Sequence, residues 1–417
     1  MHETPLTGLI LTGGGARAAY QVGVLSALAG LRRDSGADLR RNPFGVICGT
    51  SAGAINAAAL ASHSDDFDGA VQHLAAVWRQ FRAEQVYRAD SLGVIRTGAA
   101  WLTMMSIGWA INRFRKARPR SLLDNRPLAR LLADTVPLQR LPQLLRQRHL
   151  HALAITASGY GSGEHVTFYQ TAAAIQPWSR TQRVALAAEL TQQHLLASSA
   201  IPFVFPATEL PRGEQREWFG DGSIRQVAPI SPAIHLGAQR LLVIGAGRLV
   251  EPEARQVANT GYPSIAQMAG HALSGIFLDG LMVDVERMER VNRTLAILTD
   301  LQRLATPLRP VAALVISPSQ RIDDIAAQHI DSLPRPVRAL LGGVGVSSRL
   351  AAQGPRGATL ASYLLFEAPF TQALMALGEA DTLARRDEVQ AFFGWPTTSG
   401  NKELQVPAPT RTPPTAL

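Results

Sequence analysis

The chain has 417 residues, 46% of them hydrophobic and 18% charged, a balance that supplies a large core and excludes a mostly disordered polypeptide. Its formal charge of +9 comes almost wholly from arginine, Lys116 and Lys402 being the lysines, and no zinc-finger spacing or RNA-binding signature directs that charge toward nucleic acid. Cys48, the one cysteine, excludes an intramolecular disulfide, and the length points to one large α/β domain with an appendage or to two domains.

Met1 to Thr7 has no basic n-region, and the apolar run after it is interrupted by glycines, so it does not read as a secretory leader. Gly8 to Leu11 reads as a buried strand, followed by the turn Gly13 to Gly15 and a helix from Ala18 to about Leu31. Phe44 to Cys48, opened by Pro43, is a second strand. It leads through the turn Gly49 to Gly53 into an alanine-rich helix, Ala54 to Ala61. Cys48 sits inside that apolar strand and reads as a buried structural thiol.

Leu92 to Ile111 is apolar but carries Arg96, and its uncharged part, Thr97 to Ile111, is shorter than the roughly 20 residues a membrane span needs. It contains Trp101, Met104, Met105, Ile107 and Trp109, and Arg113, Arg115, Lys116, Arg118 and Arg120 follow with no acid among them. Two readings stay open: a segment that docks on a membrane or covers an acyl pocket, and a buried helix with a solvated basic connector. A cytoplasmic protein with reversible, peripheral membrane contact is the expectation.

Further on, His151 to Thr156 predicts a strand, Ala185 to Ala197 a helix, and the stretch through Trp218 and Phe219 a strand ending at Asp221-Gly222. Pro229 to Leu236 predicts a helix and Arg240 to Ile244 a strand; Gly261 to about Leu304 is helical, Ala312 to Ile316 a strand, and the rest helical to Trp395. Strands alternating with helices predict a three-layer α/β/α fold with a mostly parallel central sheet, plus a smaller, mainly helical C-terminal part. The expected division is a main α/β domain over 1–300, a mainly helical extension over 301–396 and a proline- and threonine-rich disordered tail over 397–417. Ligands of such sheets sit at the carboxyl ends of the strands, where both glycine turns and Asp221 fall.

Gly49-Thr50-Ser51-Ala52-Gly53 is a G-x-S-x-G between a buried strand and a helix, the setting of a nucleophile elbow. The glycines two before and two after the serine remove Cβ atoms that would collide in so sharp a turn. Gly13-Gly14-Gly15-Ala16-Arg17, also between strand and helix, lets several N–H groups converge on one anion, with Arg17 available to support the charge. A dinucleotide-binding loop competes for Gly13, Gly15 and Ala18. It requires an acid at the end of the next strand, and that strand ends in the Ser51 elbow instead.

A serine hydroxyl needs a base. Asp221, in Phe219-Gly220-Asp221-Gly222-Ser223, is one candidate, against a purely structural Asp-Gly turn; His235 and His271 are others, in the chain order Ser, Asp, His, although both read as ordinary helix residues. Asp323-Asp324, Asp284 with Glu286, and Asp387 with Glu388 read as solvated faces rather than metal ligands, and no metal or cofactor is expected.

The three blocks together, with Ala197-Ser198-Ser199-Ala200-Ile201-Pro202 and Phe205-Pro206 before the aspartate, resemble the patatin-like phospholipases over roughly Leu6 to Gly247. The resemblance implies a Ser51–Asp221 dyad without histidine, an acyl-enzyme, and an oxyanion hole lined by Gly14, Gly15, Ala16 and Arg17. It implies a phospholipid or lysophospholipid substrate. Ala18 replaces the family's final loop glycine, and Ser223 stands where Gly or Ala usually follows Asp-Gly. A non-catalytic, membrane-associated protein of this fold and a Ser-Asp-His carboxylesterase are the alternatives.

Overall fold

In the computed structural model, which describes residues 5–88, 121–248, 264–343, 346 and 358–396, both expected strand-turn-helix units are present. β1 (Thr7–Leu11) leads through a 3-10 turn at Gly15–Ala18 into α1 (Ala19–Asp34), and β2 (Val46–Thr50) passes through Ser51 into α2 (Ala52–Ala61). α3 (Phe67–Arg79), α4 (Arg126–Thr135) and α5 (Leu141–Arg146) precede β3 (Ala152–Gly159) and β4 (His165–Thr171). Next come β5 (Ser179–Arg180), β6 (Arg183–Ala187), α6 (Gln192–Ser198), β7 (Thr208–Arg212), β8 (Gln215–Asp221), α7 (Ser231–His235) and β9 (Arg240–Ile244). α8 (Ile265–Ser274) continues through a π turn into α9 (Gly280–Ile297), followed by α10 (Asp300–Leu304) and β10 (Ala312–Ile316). The chain then forms α11 (Ile322–His329), α12 (Arg335–Gly343), α13 (Ala358–Leu364), α14 (Ala368–Ala384) and α15 (Arg386–Phe393).

The sheet order is β10-β9-β1-β2-β3-β4-β6-β5, with β8 paired to β3 and β7 to β8. From β10 to β3 every pairing is parallel. Alternation along the strands divides their side chains between two cores: Leu9, Leu11, Ile47, Leu242 and Ile244 face one, and Ile10, Val46, Cys48, Leu241 and Val243 the other. Helices α1, α2, α3 and α14 cover the first face, and α7 and α9 cover the second, which is why these strands are apolar throughout. Cys48 is 3% exposed and burial pushes its thiol pKa upward, the state of a packing residue.

The structure departs from the sequence expectation at Ala185 to Ala197. Arg183–Ala187 joins β4 as a parallel strand, and the helix is confined to Gln192–Ser198. Pairing decides this, because one buried residue, Ala185, and a free sheet edge outweigh alanine's helix preference.

Residues after 300 contribute β10 to the sheet edge beside β9, and α14 packs directly on α1. The two helices approach to backbone contact: a Cβ on Gly23 would lie 1.9 Å from the Met375 carbonyl oxygen, and one on Gly378 2.3 Å from that of Tyr20. Asp284 lies 5% exposed inside the second core, where it accepts a hydrogen bond from the N–H of Ile230 at 3.0 Å, rather than on a solvated face. The segment from Leu92 to Arg120 and the tail over 397–417 lie outside the described residues.

Candidate active site

Ser51 sits between the last residue of β2 and the first of α2 with φ 56° and ψ −130°, a region that costs a non-glycine residue of order 1–3 kcal/mol. The flanking glycines are sterically required. A Cβ on Gly49 would fall 2.5 Å from Ala54 Cα, and one on Gly53 2.3 Å from the Leu11 carbonyl oxygen. The turn therefore presses the elbow against the end of β1 and leaves the Ser51 hydroxyl at the carboxyl edge of the sheet.

Asp221 reaches the same point from β8, whose antiparallel pairing sets Asp221 opposite Ala157 on β3. Ser51 Oγ donates to Asp221 Oδ2 at 2.5 Å, and the N–H of Ser223 donates to Oδ1 at 2.9 Å. Gly222 lets the chain turn here, since a Cβ would lie 2.3 Å from the Thr156 carbonyl oxygen. Asp221 is fully buried, and desolvation pushes its pKa up to about 6 against the opposing pull of those hydrogen bonds. A carboxylate so placed is a stronger base than an exposed one and still ionised at neutral pH.

The Ala197 to Pro202 stretch has a physical reason. Ser198 Oγ accepts the N–H of Ser51 at 2.8 Å, and the carbonyl of Ala200 accepts the N–H of Asp221 at 2.9 Å, so one short segment holds both residues. Ser198→Ala is expected to lower kcat roughly tenfold with KM little changed, because the buried N–H of Ser51 loses its acceptor. Unaltered circular dichroism and recovery in Ser198→Thr would mark Ser198 as a positioning residue; a KM effect alone would not.

The glycine loop lies beside the elbow. Gly15, at φ 55°, lines the same cleft as Ser51, and a Cβ there would fall 2.3 Å from the Tyr363 carbonyl oxygen. A Cβ on Gly13 would meet Ser223 Oγ at 2.3 Å, and one on Gly14 the Ala246 Cβ at 2.6 Å. The first N–H groups of Gly15–Ala18 belong to those that a helix start leaves without an internal acceptor. Ala16 is fully buried in this turn.

Arg17 departs from the expectation that its guanidinium supports charge at the serine. Its Nε donates to Ser362 Oγ at 2.7 Å, a terminal nitrogen donates to Asp323 Oδ1 at 2.6 Å, and the group lies over the Tyr363 ring at 4.1 Å. Asp323 is thereby an anchor of the glycine loop rather than a solvated acid, and Arg17 fastens that loop to α11 and α13. A buried network missed in the sequence does the same from the other side. Asn56 on α2 donates to the Ala18 carbonyl and to Gln21, Gln21 donates to the Thr12 carbonyl, and Trp78 donates to Asn56. The only sequence signal was a polar residue inside an alanine-rich helix.

No histidine hydrogen-bonds to Ser51 or Asp221 among the described residues. His235 stacks on Trp178 at 4.7 Å and sits on α7, before the amino end of β9, while His271 is exposed on α8. Burial, with Arg180, Arg183 and Arg309 nearby, holds the His235 pKa below its ordinary value.

Two apolar clefts meet at the Ser51–Asp221 pair. One, of about 60 Å³, is lined by Gly15, Ser51, Ile55, Trp78, Leu132 and Phe205. The other, of about 420 Å³, is lined by Asp221, Ile224, Leu273, Phe277, Leu341 and Leu364. Ile201 belongs to both walls.

A family model described as patatin-like phospholipase matches residues 9–234, a span that contains the elbow, the glycine loop and Asp221. The chain belongs to the patatin-like phospholipase family. Among curated proteins none matches it. Solved structures to which this patatin-like chain is similar include human GIVD cytosolic phospholipase A2, at 11% identity and a TM-score of 0.45 over 94% of this chain and 60% of that one. VipD from Legionella pneumophila is 12% identical with a TM-score of 0.30, over 94% of this chain and 90% of that one. ExoU from Pseudomonas aeruginosa, solved with SpcU, is 15% identical with a TM-score of 0.25, over 90% of this chain and 71% of that one. The patatin-like chain thus spans 60% of the length of the human enzyme.

Proposed function

We propose that this protein is a serine lipid acyl hydrolase acting on phospholipid or lysophospholipid esters through Ser51 and Asp221. The observation that carries the reading is the 2.5 Å hydrogen bond from Ser51 Oγ to Asp221 Oδ2, made at a strained elbow where two apolar clefts meet. Asp221 accepts the hydroxyl proton as Ser51 Oγ attacks the ester carbonyl, and the N–H groups of the Gly13 to Ala16 loop stabilise the oxyanion. Collapse of that intermediate breaks the acyl–oxygen bond, with Asp221 returning the proton to the departing alcohol. Water then attacks the acyl carbon while Asp221 takes its proton, the bond to Ser51 Oγ breaks to release the fatty acid, and Asp221 returns the proton to Ser51 Oγ.

The test is fatty-acid release from a phospholipid, with a short-chain ester alongside, by wild type, Ser51→Ala, Asp221→Asn and a His235→Ala/His271→Ala double variant. The dyad reading expects loss in the first two variants and activity in the third. Loss in the histidine variant as well would favour a triad, and a folded wild type without activity would favour a non-catalytic member of the family.

Localisation in the cytoplasm with peripheral membrane contact is part of the same proposal. The described residues offer a bilayer the side chains of Ile297, Leu301 and Leu304, each more than 80% exposed, with Arg290, Arg293 and Arg303 nearby in sequence. Leu301→Glu/Leu304→Glu is expected to reduce cosedimentation with phosphatidylcholine–phosphatidylglycerol vesicles severalfold. Undiminished binding would assign the contact to another surface.

A further inference from the structure

The face of the sheet opposite the Ser51 cleft carries a larger hollow. A cavity of about 690 Å³ opens between α7, α9, the strand pair β5–β6 and the chain leading into β10. Its apolar wall includes Ile230, Met288 and Val311, members of the core under α7 and α9, whereas the Ser51 cleft draws Leu74, Trp78 and Leu132 from the other core. The sheet therefore separates the two, and the Ser51–Asp221 chemistry draws on none of this cavity's residues.

Four arginines, Arg180, Arg183, Arg287 and Arg309, line the cavity against a single acid, Asp284. Their charges converge: those of Arg180, Arg183 and Arg309 act on His235, and those of Arg183 and Arg287 on Asp284. Most of this charge lacks an internal partner. Among the described residues the Arg183 guanidinium makes no hydrogen bond or ion pair, and that of Arg180 donates only to the Ser179 carbonyl, at 2.9 Å. Arg287 lies 4.0 Å from Asp284 Oδ1, and Arg309 turns one terminal nitrogen to the carbonyls of Ile234 and Ala238. Asp284, whose Oδ2 accepts the Ile230 N–H, offsets one of the four charges.

An unpaired guanidinium presents a planar fork that matches carboxylate or phosphate oxygens. A bare anion would leave much of the cavity without a partner, because Ile234, Val291 and Leu308 extend the apolar wall beside the arginines. The volume lies within the roughly 300–1,000 Å³ of small-molecule sites. We infer that this cavity binds a single-chain anionic amphiphile, its carboxylate or phosphate head held by Arg180, Arg183 and Arg287 and its alkyl chain laid on Ile234, Met288 and Leu308. The site stands apart from the Ser51–Asp221 reading, and its occupant is bound rather than converted.

The experiment is calorimetric titration of the full chain with decanoate, decyl phosphate, decanol and inorganic phosphate, each below its aggregation threshold and at low ionic strength. At least one of the two amphiphilic anions is expected to bind at least about tenfold more tightly than inorganic phosphate, which lacks the chain, and than decanol, which lacks the charge. A preference for decanoate or for decyl phosphate identifies the head, and either order supports the site. Arg180→Gln/Arg183→Gln is expected to weaken that binding at least about tenfold. Leu308 lines the cavity and is 54% exposed, so Leu308→Glu places a repelling charge on the wall without disturbing a packed core, and at least about fivefold weaker binding is expected. Ser51→Ala is expected to bind as wild type does.

Inorganic phosphate binding as tightly as decyl phosphate would reduce the cavity to a plain anion pocket and overturn the inference. So would amphiphile binding left unchanged by either variant in folded protein, which would place the chain in the clefts beside Ser51 and Asp221. No binding of either monomeric amphiphile overturns it as well, and arginine-dependent attachment to phosphatidylglycerol vesicles in that case would make this face a membrane contact. Fatty-acid release and amphiphile binding are separate readouts, so failure of one leaves the other reading standing.

Discussion

Replacing Ser51 by alanine is expected to lower fatty-acid release from phospholipid by at least about a thousandfold, with the fold intact. Ser51 is the elbow hydroxyl that hydrogen-bonds to Asp221. Asp221 is fully buried, and the Ser198 hydroxyl oxygen accepts from the Ser51 N–H. A residual rate is expected, because the glycine loop and the clefts still bind the ester and polarise it. Alanine also keeps the backbone strain of φ 56°. Ser51→Gly, which removes the hydroxyl and the strain together, is therefore expected to be as inactive as Ser51→Ala but more stable by about 1 kcal/mol, measured by denaturant unfolding. Comparable stability of the two would show that the elbow stores no strain.

Asp221→Asn is expected to abolish activity to a similar extent and to stabilise the fold at neutral pH. The carboxyl is fully buried, and its pKa stands near 6 rather than at the ordinary 3.8. A carboxyl with a raised folded-state pKa holds its proton in the native chain between about pH 4 and 6, where the unfolded chain has lost it. Stability contributed by this group thus falls as pH rises through that window, and above pH 6 the whole penalty of a buried charge is present. A shift of about two units corresponds to roughly 3 kcal/mol, and asparagine removes most of it, so a gain of about 1–3 kcal/mol is expected at pH 8 and little at pH 4. Catalysis runs the opposite way. The base must be ionised, so wild-type kcat/KM is expected to rise through about pH 6. A profile flat from pH 5 to 8, or an asparagine variant less stable at pH 8, would argue that Asp221 is not the base. Stability and activity moving in opposite directions is what a residue kept for chemistry rather than for packing produces.

The parts of the site that depend on local chain geometry were legible before the structure. Gly49, Gly53, Gly13 and Gly15 mark turns that no other residue fits, and the apolar strands before them fix where the turns occur. Asp221 was legible through its Asp-Gly turn together with the resemblance, since an isolated Asp-Gly is usually only a turn. The partners of Arg17 were not. Ser362 and Asp323 lie 345 and 306 residues away, and no local pattern pairs residues at that distance. Asp284 misled for the same reason: its position beside Glu286 on a helix looks solvated until the Ile230 N–H is packed against it.

Sequence alone determined the class of fold, the elbow with Ser51 at its apex, and the glycine loop, because periodicity, turn chemistry and steric exclusion act between residues close in the chain. Only the tertiary structure decided that β8 enters antiparallel and carries Asp221 to within 2.5 Å of Ser51, and that Ser198 and Ala200 hold both residues in place. It also decided that β10 completes the sheet edge, that Arg17 serves the C-terminal helices, and that one apolar cleft reaches Ser51 while another reaches Asp221. Those outcomes depend on which distant surfaces bury one another. That choice is made by packing and by satisfying buried polar groups across hundreds of residues, for which the linear order carries no spacing rule.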